Sequence, residues 1–226
     1  MPGGVKWFAY DWRDGSLGFG ETYMEGWWDT KDLDGLLHRI LAHRIDQAVH
    51  SWSDTVAYLR ARLFNLQTIR RALKVAHRHY DLGNDLYEQM LGSRMVYSCG
   101  YWESASTLEQ AQDAKLDLIF RKLGLKPGMR VLDIGCGFGE GLKQATSKYG
   151  VTAVGITISE RQADYARKLC AGLPVEIRIQ DYRKLEGQFD RVFSVGMFEH
   201  VGPKNHRTYM EVVRTRVAFR VGADET

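Results

Sequence analysis

The 226-residue chain is 44% hydrophobic and 26% charged, which excludes a disordered tail and allows one sizeable core with a smaller appended lobe. Its formal charge of +3 is too small to argue by itself for an anionic partner such as nucleic acid or membrane. Cys99, Cys136 and Cys170 are an odd set with no C-x-x-C pair, which argues against a disulfide framework and a cysteine zinc site and fits a reducing cytoplasm.

In chain order, residues 1–30 are rich in glycine and aromatic residues, with Gly15, Gly18, Gly20 and Gly26 set among Phe19, Tyr23, Trp27 and Trp28. This pattern predicts turns pinned by packed rings rather than a regular element. Leu33, Leu36, Leu37, Ile40 and Leu41 mark the apolar face of a first helix from about residue 31, and a second is predicted from Thr55 to His79. Another opens at Thr107, where Thr107 and Gln110 form a T-x-x-Q capping box, and stops at Gly124 before Pro127. From Met129 the period changes to short β-like runs, Met129–Ile134, Val151–Thr157, Val175–Ile179 and Phe189–Val195. Helices at about 140–149 and 159–171 separate them, the latter opened by Ser159 with Gln162 three residues on. Alternation of this kind predicts an α/β fold with parallel strands and right-handed crossovers.

The run VLDI leads into Asp133-Ile134-Gly135-Cys136-Gly137-Phe138-Gly139, a D-x-G-x-G-x-G turn followed by a helical segment. Glycines are needed where the chain reverses at a strand end and a ligand touches the backbone, so the turn suits a nucleotide-like ligand. Dinucleotide folds use G-x-G-x-x-G and an acidic residue on the ribose, whereas here the spacing is G-x-G-x-G and the second strand ends in Thr157. The chain also lacks a G-x-x-x-x-G-K-[ST] phosphate loop. Adenosylmethionine fits what remains, since it carries no phosphate and needs a backbone-lined slot with polar contacts for ribose and adenine.

Further motifs extend this reading: GSLGFGETYMEGWWDT (15–30), ARLFNLQ (61–67), HYDLGNDLYEQML (79–91), YSCGYW (97–102), VLDIGCGFG (131–139), GITISERQ (155–162) and QDYRKLEGQFDRVFSVGMFEHVGPKN (180–205). Over about residues 7–213 they resemble the cyclopropane fatty acid synthases, and the N-terminal stretch resembles the phospholipid-acting branch, the cyclopropane-fatty-acyl-phospholipid synthases. The resemblance implies a Rossmann-like class I adenosylmethionine-dependent methyltransferase core with an incomplete sheet (81–226), preceded by a mainly helical lipid-access region (1–80). It implies cofactor contacts at Tyr97, Ser98, Asp133, Gly135, Gly137, Gly139, Thr157, Gln162 and Asp181, with Asp181 at the adenine amine and Gln162 at the ribose edge. Without it, Tyr97 and Thr157 serve equally as packing at element ends, Gln162 as the capping partner of Ser159, and Asp181 as a turn residue. The resemblance also implies a bicarbonate ion held by Cys99 and Glu199, which alone read as a buried small hydrophobe and half of a surface pair with His200. Cys136 is read as a small residue filling the turn, and no metal is implied.

The implied reaction adds a methylene from adenosylmethionine across the cis double bond of an unsaturated phospholipid acyl chain. An alkene is a poor nucleophile, so positioning must supply much of the rate. The carbocation formed would be stabilised by aromatic faces at about 0.5–2 kcal/mol each, and Tyr97, Tyr101, Trp102 and Phe198 lie in or beside the motifs. The bicarbonate that the resemblance implies would take a proton from the new methyl as the ring closes, without trapping the cation as a stronger nucleophile would.

The sequence contains no apolar stretch of signal-peptide or membrane-spanning length, so the expectation is a cytoplasmic protein meeting lipid peripherally at the inner membrane face. At 100° per residue Arg60, Arg71, Lys74 and Arg78 share one stripe of the predicted second helix, and Leu59, Leu63, Leu66, Leu73 and Ala76 occupy another. The cationic stripe reads either as docking on anionic phospholipid or as the solvated side of a core helix. It lacks interleaved stacking aromatics, which disfavours nucleic acid.

Two departures from the family pattern stand out. After Glu211-Val212-Val213 the chain reads RTRVAFRVGADET, where the family continues into a strand bearing a histidine and a region supplying a tyrosine, both for the bicarbonate site. The tail reads as a shifted or artificially ended frame, so the expectation is a poorly stable, inactive fragment with the Phe189–Val195 strand lacking its outer neighbour. Glu140 stands where the family places glycine; it suits the helix dipole and is expected to repel the methionine carboxylate. A methyltransferase acting on another lipid or small molecule, or a non-catalytic cofactor- or membrane-binding remnant, are the alternatives.

Overall fold

Four parallel strands carry the larger part of the fold in the order β3-β2-β1-β4: β1 (Arg130–Ile134), β2 (Thr152–Thr157), β3 (Val175–Ile179) and β4 (Arg191–Phe193). The computed structural model describes residues 15–44 and 84–218 and divides into two units, residues 1–65 and 66–226. The predicted helix Thr55–His79, with its cationic stripe, lies outside the described residues.

In the first unit, α1 (Gly15–Met24) is helical where the sequence predicts only turns. The glycines hid it, since each lowers helix propensity by about 1 kcal/mol relative to alanine. Packing overrides that cost: Phe19 and Tyr23, one turn apart, meet Trp28 at ring-centroid distances of 4.4 and 4.8 Å. The Trp28 indole also donates to Thr22 Oγ1 at 3.0 Å. Helix α2 (Leu33–Ala42) follows, with Asp32 accepting from Gly35 N at its N-cap.

In the second unit, α3 (Asn84–Leu91) runs through a 3-10 turn (Gly92–Arg94) into an extended segment. Helix α4 (Leu108–Leu123) starts and stops where the caps predict: Gln110 N donates to Thr107 Oγ1, and Gly124 closes the helix with φ 60°. The reciprocal bond of the capping box goes one residue upstream, from Ser106 to Gln110 Oε1. Helices α5 (Glu140–Tyr149) and α6 (Glu160–Leu169) connect the first three strands, and α7 (Phe198–Val201) and α8 (His206–Arg216) follow β4.

Strand β1 is buried on both sides, as a central parallel strand must be. Val131 packs with Leu116, Phe120, Leu142 and Phe193 on the α4–α5 side. Leu132 and Ile134 pack with Tyr182, Phe189 and Tyr209 on the α8 side. Each fully buried side chain of this size contributes about 1.5–3 kcal/mol, so β1 is the rigid base for whatever its carboxyl end carries.

The fourth strand corrects two expectations. It spans only Arg191–Phe193, and its approach is not bare: Phe189 forms a parallel bridge with Val217, Phe189 N donating to Arg216 O at 2.9 Å and Ala218 N to Phe189 O at 2.8 Å. The chain leaving α8 thus pairs with Phe189 just before β4, while β4 itself is the edge of the described sheet, as expected. No described helix is long and apolar enough to cross a membrane.

Candidate functional site

The carboxyl ends of the strands converge on the glycine bend, at the β1–β4 switch in strand order where open α/β sheets bind ligands. Gly135 N and Cys136 N both donate to Ile156 O, at 2.9 and 3.0 Å, tying the bend to the end of β2. Gly135, Gly137 and Gly139 all have positive φ, 85°, 53° and 90°. Their surroundings differ. A Cβ on Gly135 would lie 2.9 Å from Met197 Sδ and one on Gly139 2.8 Å from Ala166 Cβ, whereas one on Gly137 would meet no atom within 4 Å. The outer two glycines permit packing, and Gly137 presents bare backbone to open space. Cys136 is buried in the turn, as a small filler should be.

Asp133 is 5% exposed on the α4–α5 side of β1. A Cβ on Gly141 in the first turn of α5 would lie 3.6 Å from its Oδ2. Burial pushes the Asp133 carboxyl up to about 8, so at neutral pH it carries a proton and can donate a hydrogen bond.

Thr157 closes β2 and is buried. Its Oγ1 donates to Gln162 Oε1 at 2.9 Å and accepts from Ser159 N at 3.2 Å. Gln162 meets both descriptions given by the sequence: its backbone N–H caps onto Ser159 Oγ at 3.3 Å, while its side chain is free to hold Thr157. Asp181 follows β3 and caps the 3-10 turn after it, which is its turn-residue reading. Its carboxylate accepts from Arg183 Nε (2.8 Å), Nη2 (2.6 Å) and the Arg183 backbone N–H (2.9 Å). Burial raises the Asp181 carboxyl, but the bonds from Arg183 outweigh it and hold the group below its usual range.

Tyr97, Ser98 and Cys99 lie on the extended segment that packs along α4. Gln112 Nε2 donates to Ser98 O (2.8 Å) and Val96 O (3.4 Å), and Tyr101 N donates to Ala111 O at 2.9 Å. The approach is close enough that a Cβ on Gly100 would sit 2.8 Å from Ala111 Cβ. With Ser98 and Tyr101 anchored, Cys99 between them is exposed, which corrects the reading of a buried hydrophobe. Glu199, on α7, is exposed, as is His200. Gly196 draws the two regions together: Ser98 Cβ, Tyr97 O and Glu199 Oε1 lie 3.8, 3.8 and 3.9 Å from where its Cβ would be. Next to it, Met197 packs on Gly135.

Tyr97 is 60% exposed, and one edge of its ring meets Tyr87 with centroids 5.7 Å apart. Tyr87 in turn meets Phe138 at 5.7 Å, and Phe138 meets Tyr165 at 5.3 Å, so an aromatic row covers the bend from α3 to α6.

Two residues here fall outside the sequence motifs. Lys115 Nζ donates to Ser98 Oγ at 2.7 Å and to Gln112 Oε1 at 2.6 Å; the three-residue helical spacing of Gln112 and Lys115 was the available signal. Arg94 bonds Glu140 Oε1 at 2.5 Å and Asp113 Oδ2 at 2.6 Å. Nothing local in the sequence signals an ion pair 46 residues apart. It overturns the expectation for Glu140, which is 4% exposed and neutralised by Arg94, with Lys143 at 3.7 Å, rather than repelling a ligand's carboxylate. Two open depressions of about 520 and 340 Å³ lie at the opposite, amino ends of the strands, lined by residues such as Met129, Asp190, Thr152 and Val175.

The family model described as mycolic acid cyclopropane synthetase matches residues 67–219. The chain is 54% identical over 202 residues to a cyclopropane-fatty-acyl-phospholipid synthase of Escherichia coli, covering 89% of this chain and 53% of that protein. It is 40% identical over 139 residues to cyclopropane mycolic acid synthase 3 of Mycobacterium tuberculosis, covering 59% and 48%. A crystal structure of a mycolic acid cyclopropane synthase complexed with SAH and CTAB superposes with a TM-score of 0.63 at 34% identity, covering 65% of this chain and 53% of that one. The chain spans about half the length of the curated relatives it matches.

Proposed function

The chain belongs to the mycolic acid cyclopropane synthetase family, and from that premise we propose that it takes part in methylene transfer from adenosylmethionine to the cis double bond of unsaturated phospholipid acyl chains, forming cyclopropane fatty acids. The carrying observation is Gly137. It stands at the carboxyl end of the central strand with nothing within 4 Å of its would-be Cβ, a bare-backbone surface that a phosphate-free nucleoside such as adenosylmethionine can lie against. The relative solved with SAH supports this choice of ligand class.

The surrounding groups fit adenosylmethionine. When bound, it supplies a methyl group on a sulfonium. Gly135, Gly137 and Gly139 would give it backbone contact, and Ser98 and Tyr97 would close the side nearest β4. Gln162 would meet the ribose edge with the amide N–H groups that its bond to Thr157 leaves over. Asp133, holding its proton, would donate rather than repel. Asp181 would reach the adenine amine with lone pairs beyond those taken by Arg183.

Cys99 and Glu199, both exposed near the Gly196 crossing, would hold bicarbonate as a second small group. The exposed rings of Tyr97 and Trp102 offer faces for charge developing on an acyl chain. Residues 1–80 would serve lipid access, with the cationic stripe of Arg60, Arg71, Lys74 and Arg78 meeting anionic headgroups from the cytoplasmic side.

The test incubates the purified chain with methyl-labelled adenosylmethionine and vesicles of unsaturated phospholipid. Label in cyclopropane acyl chains would bear out the full reading despite the missing histidine and tyrosine. Label in another fraction would point to a different acceptor. Cofactor binding without transfer would reduce the chain to a binding remnant.

A further inference from the structure

We propose that Lys115 is a positioning residue: from behind Ser98 it fixes that serine as a hydrogen-bond donor toward a carboxylate-type oxyanion in the site. The proposal deepens the functional reading above and rests on it.

Gln112 orients the cluster. Its Nε2 faces two carbonyls, Ser98 O and Val96 O, and a carbonyl can only accept, so the amide orientation is set and Oε1 points the other way. Lys115 Nζ takes up Oε1 at 2.6 Å and places a second proton on Ser98 Oγ at 2.7 Å. An ammonium has only donors, so the Ser98 oxygen is the acceptor in that bond and its own proton must point elsewhere. No acceptor for that proton is recorded among the described residues. Ser98 Cβ faces Gly196, and the adjacent Met197 packs on Gly135, so Ser98 borders the loop that covers the glycine bend.

Burial lowers Lys115 to about 8, an influence that the neighbouring Cys99 only partly offsets. A donor hydroxyl backed by a cation suits an oxyanion, because hydrogen bonds to a charged acceptor are roughly twice as strong as neutral ones. Two sources share that chemistry, the carboxylate of adenosylmethionine and bicarbonate.

Both are separable by binding alone. Adenosylmethionine and its decarboxylated analogue are titrated calorimetrically into the wild-type chain, Lys115→Met and Lys115→Arg, and bicarbonate is then titrated in the presence of adenosylmethionine. Lys115→Met is expected to weaken an oxyanion ligand about tenfold or more, with Lys115→Arg recovering most of that loss. If the cofactor carboxylate is the partner, adenosylmethionine suffers and the decarboxylated analogue does not. If bicarbonate is the partner, only its titration suffers. Equal weakening of adenosylmethionine and the decarboxylated analogue, with bicarbonate unaffected, would mean a merely structural lysine and overturn the proposal. Unchanged binding of all three ligands would do the same. A wild-type chain that binds neither nucleoside would overturn the functional reading and this proposal together.

Discussion

Replacing Gly137 by alanine should damage binding out of proportion to stability. At φ 53° an alanine sits in the left-handed region at a cost of about 1–2 kcal/mol, and with no atom within 4 Å of the new Cβ no steric cost is added. For a chain of this size that lowers Tm by about 2–8 °C. If a nucleoside lies on that backbone, the methyl occupies its place and affinity for adenosylmethionine should fall at least thirtyfold, about 2 kcal/mol. Gly139→Ala supplies the contrast. Its φ of 90° is strained for alanine, and its Cβ would lie 2.8 Å from Ala166 Cβ, adding about 1–3 kcal/mol of overpacking and destabilising the fold far more. Urea denaturation and calorimetric titration of both variants check the pair. A Gly137→Ala chain that binds adenosylmethionine with wild-type Kd would refute the placement of the ligand on this bend.

Two further outcomes follow from charges inside the core. The Asp133 carboxyl moves from 3.8 to about 8 in the fold; the native state therefore keeps a proton that the unfolded chain has released, and stability is lost as pH rises from about 4 to about 8. Asp133→Asn removes that loss, so its melting temperature should fall less than wild type between pH 5 and pH 8, and parallel profiles would contradict the burial argument. Arg94→Met leaves the buried Glu140 with only Lys143 nearby. Because Arg94 is one-third exposed, the cost should be about 2 kcal/mol, below the 3–5 kcal/mol typical of breaking a fully buried pair. Adding Glu140→Leu should recover most of it in chemical denaturation, and an additive further loss would show that the pair is not coupled.

Where local chemistry decides structure, the sequence was sufficient. Thr107 and Gly124 bracket α4 because capping depends only on a hydroxyl oxygen and a left-handed φ within the same turn. The β1 run and its bend were equally legible, since apolar residues ending in spaced glycines have few other uses. Helix α1 was not, because the rings that hold it close through Trp28, beyond the helix itself. At the candidate site, motif spacing located the loop residues, and Thr157 and Gln162 turned out to be partners of each other. Arg94 and Lys115 stayed invisible because their importance comes from partners that only tertiary folding brings near. The partner of Phe189 was missed for a related reason: Val217 reaches it only because the chain leaving α8 comes alongside.

The Arg94 fork has a consequence for motion. One planar guanidinium spans carboxylates on α4 and α5, at 2.6 and 2.5 Å, while its own backbone continues from α3, whose Tyr87 lies on Phe138. Shifting any of these three helices alone breaks a charge-assisted contact, so floor and cover should loosen as one cooperative block. Amide exchange in α3, α4 and the first turn of α5 would then slow in concert when ligand binds.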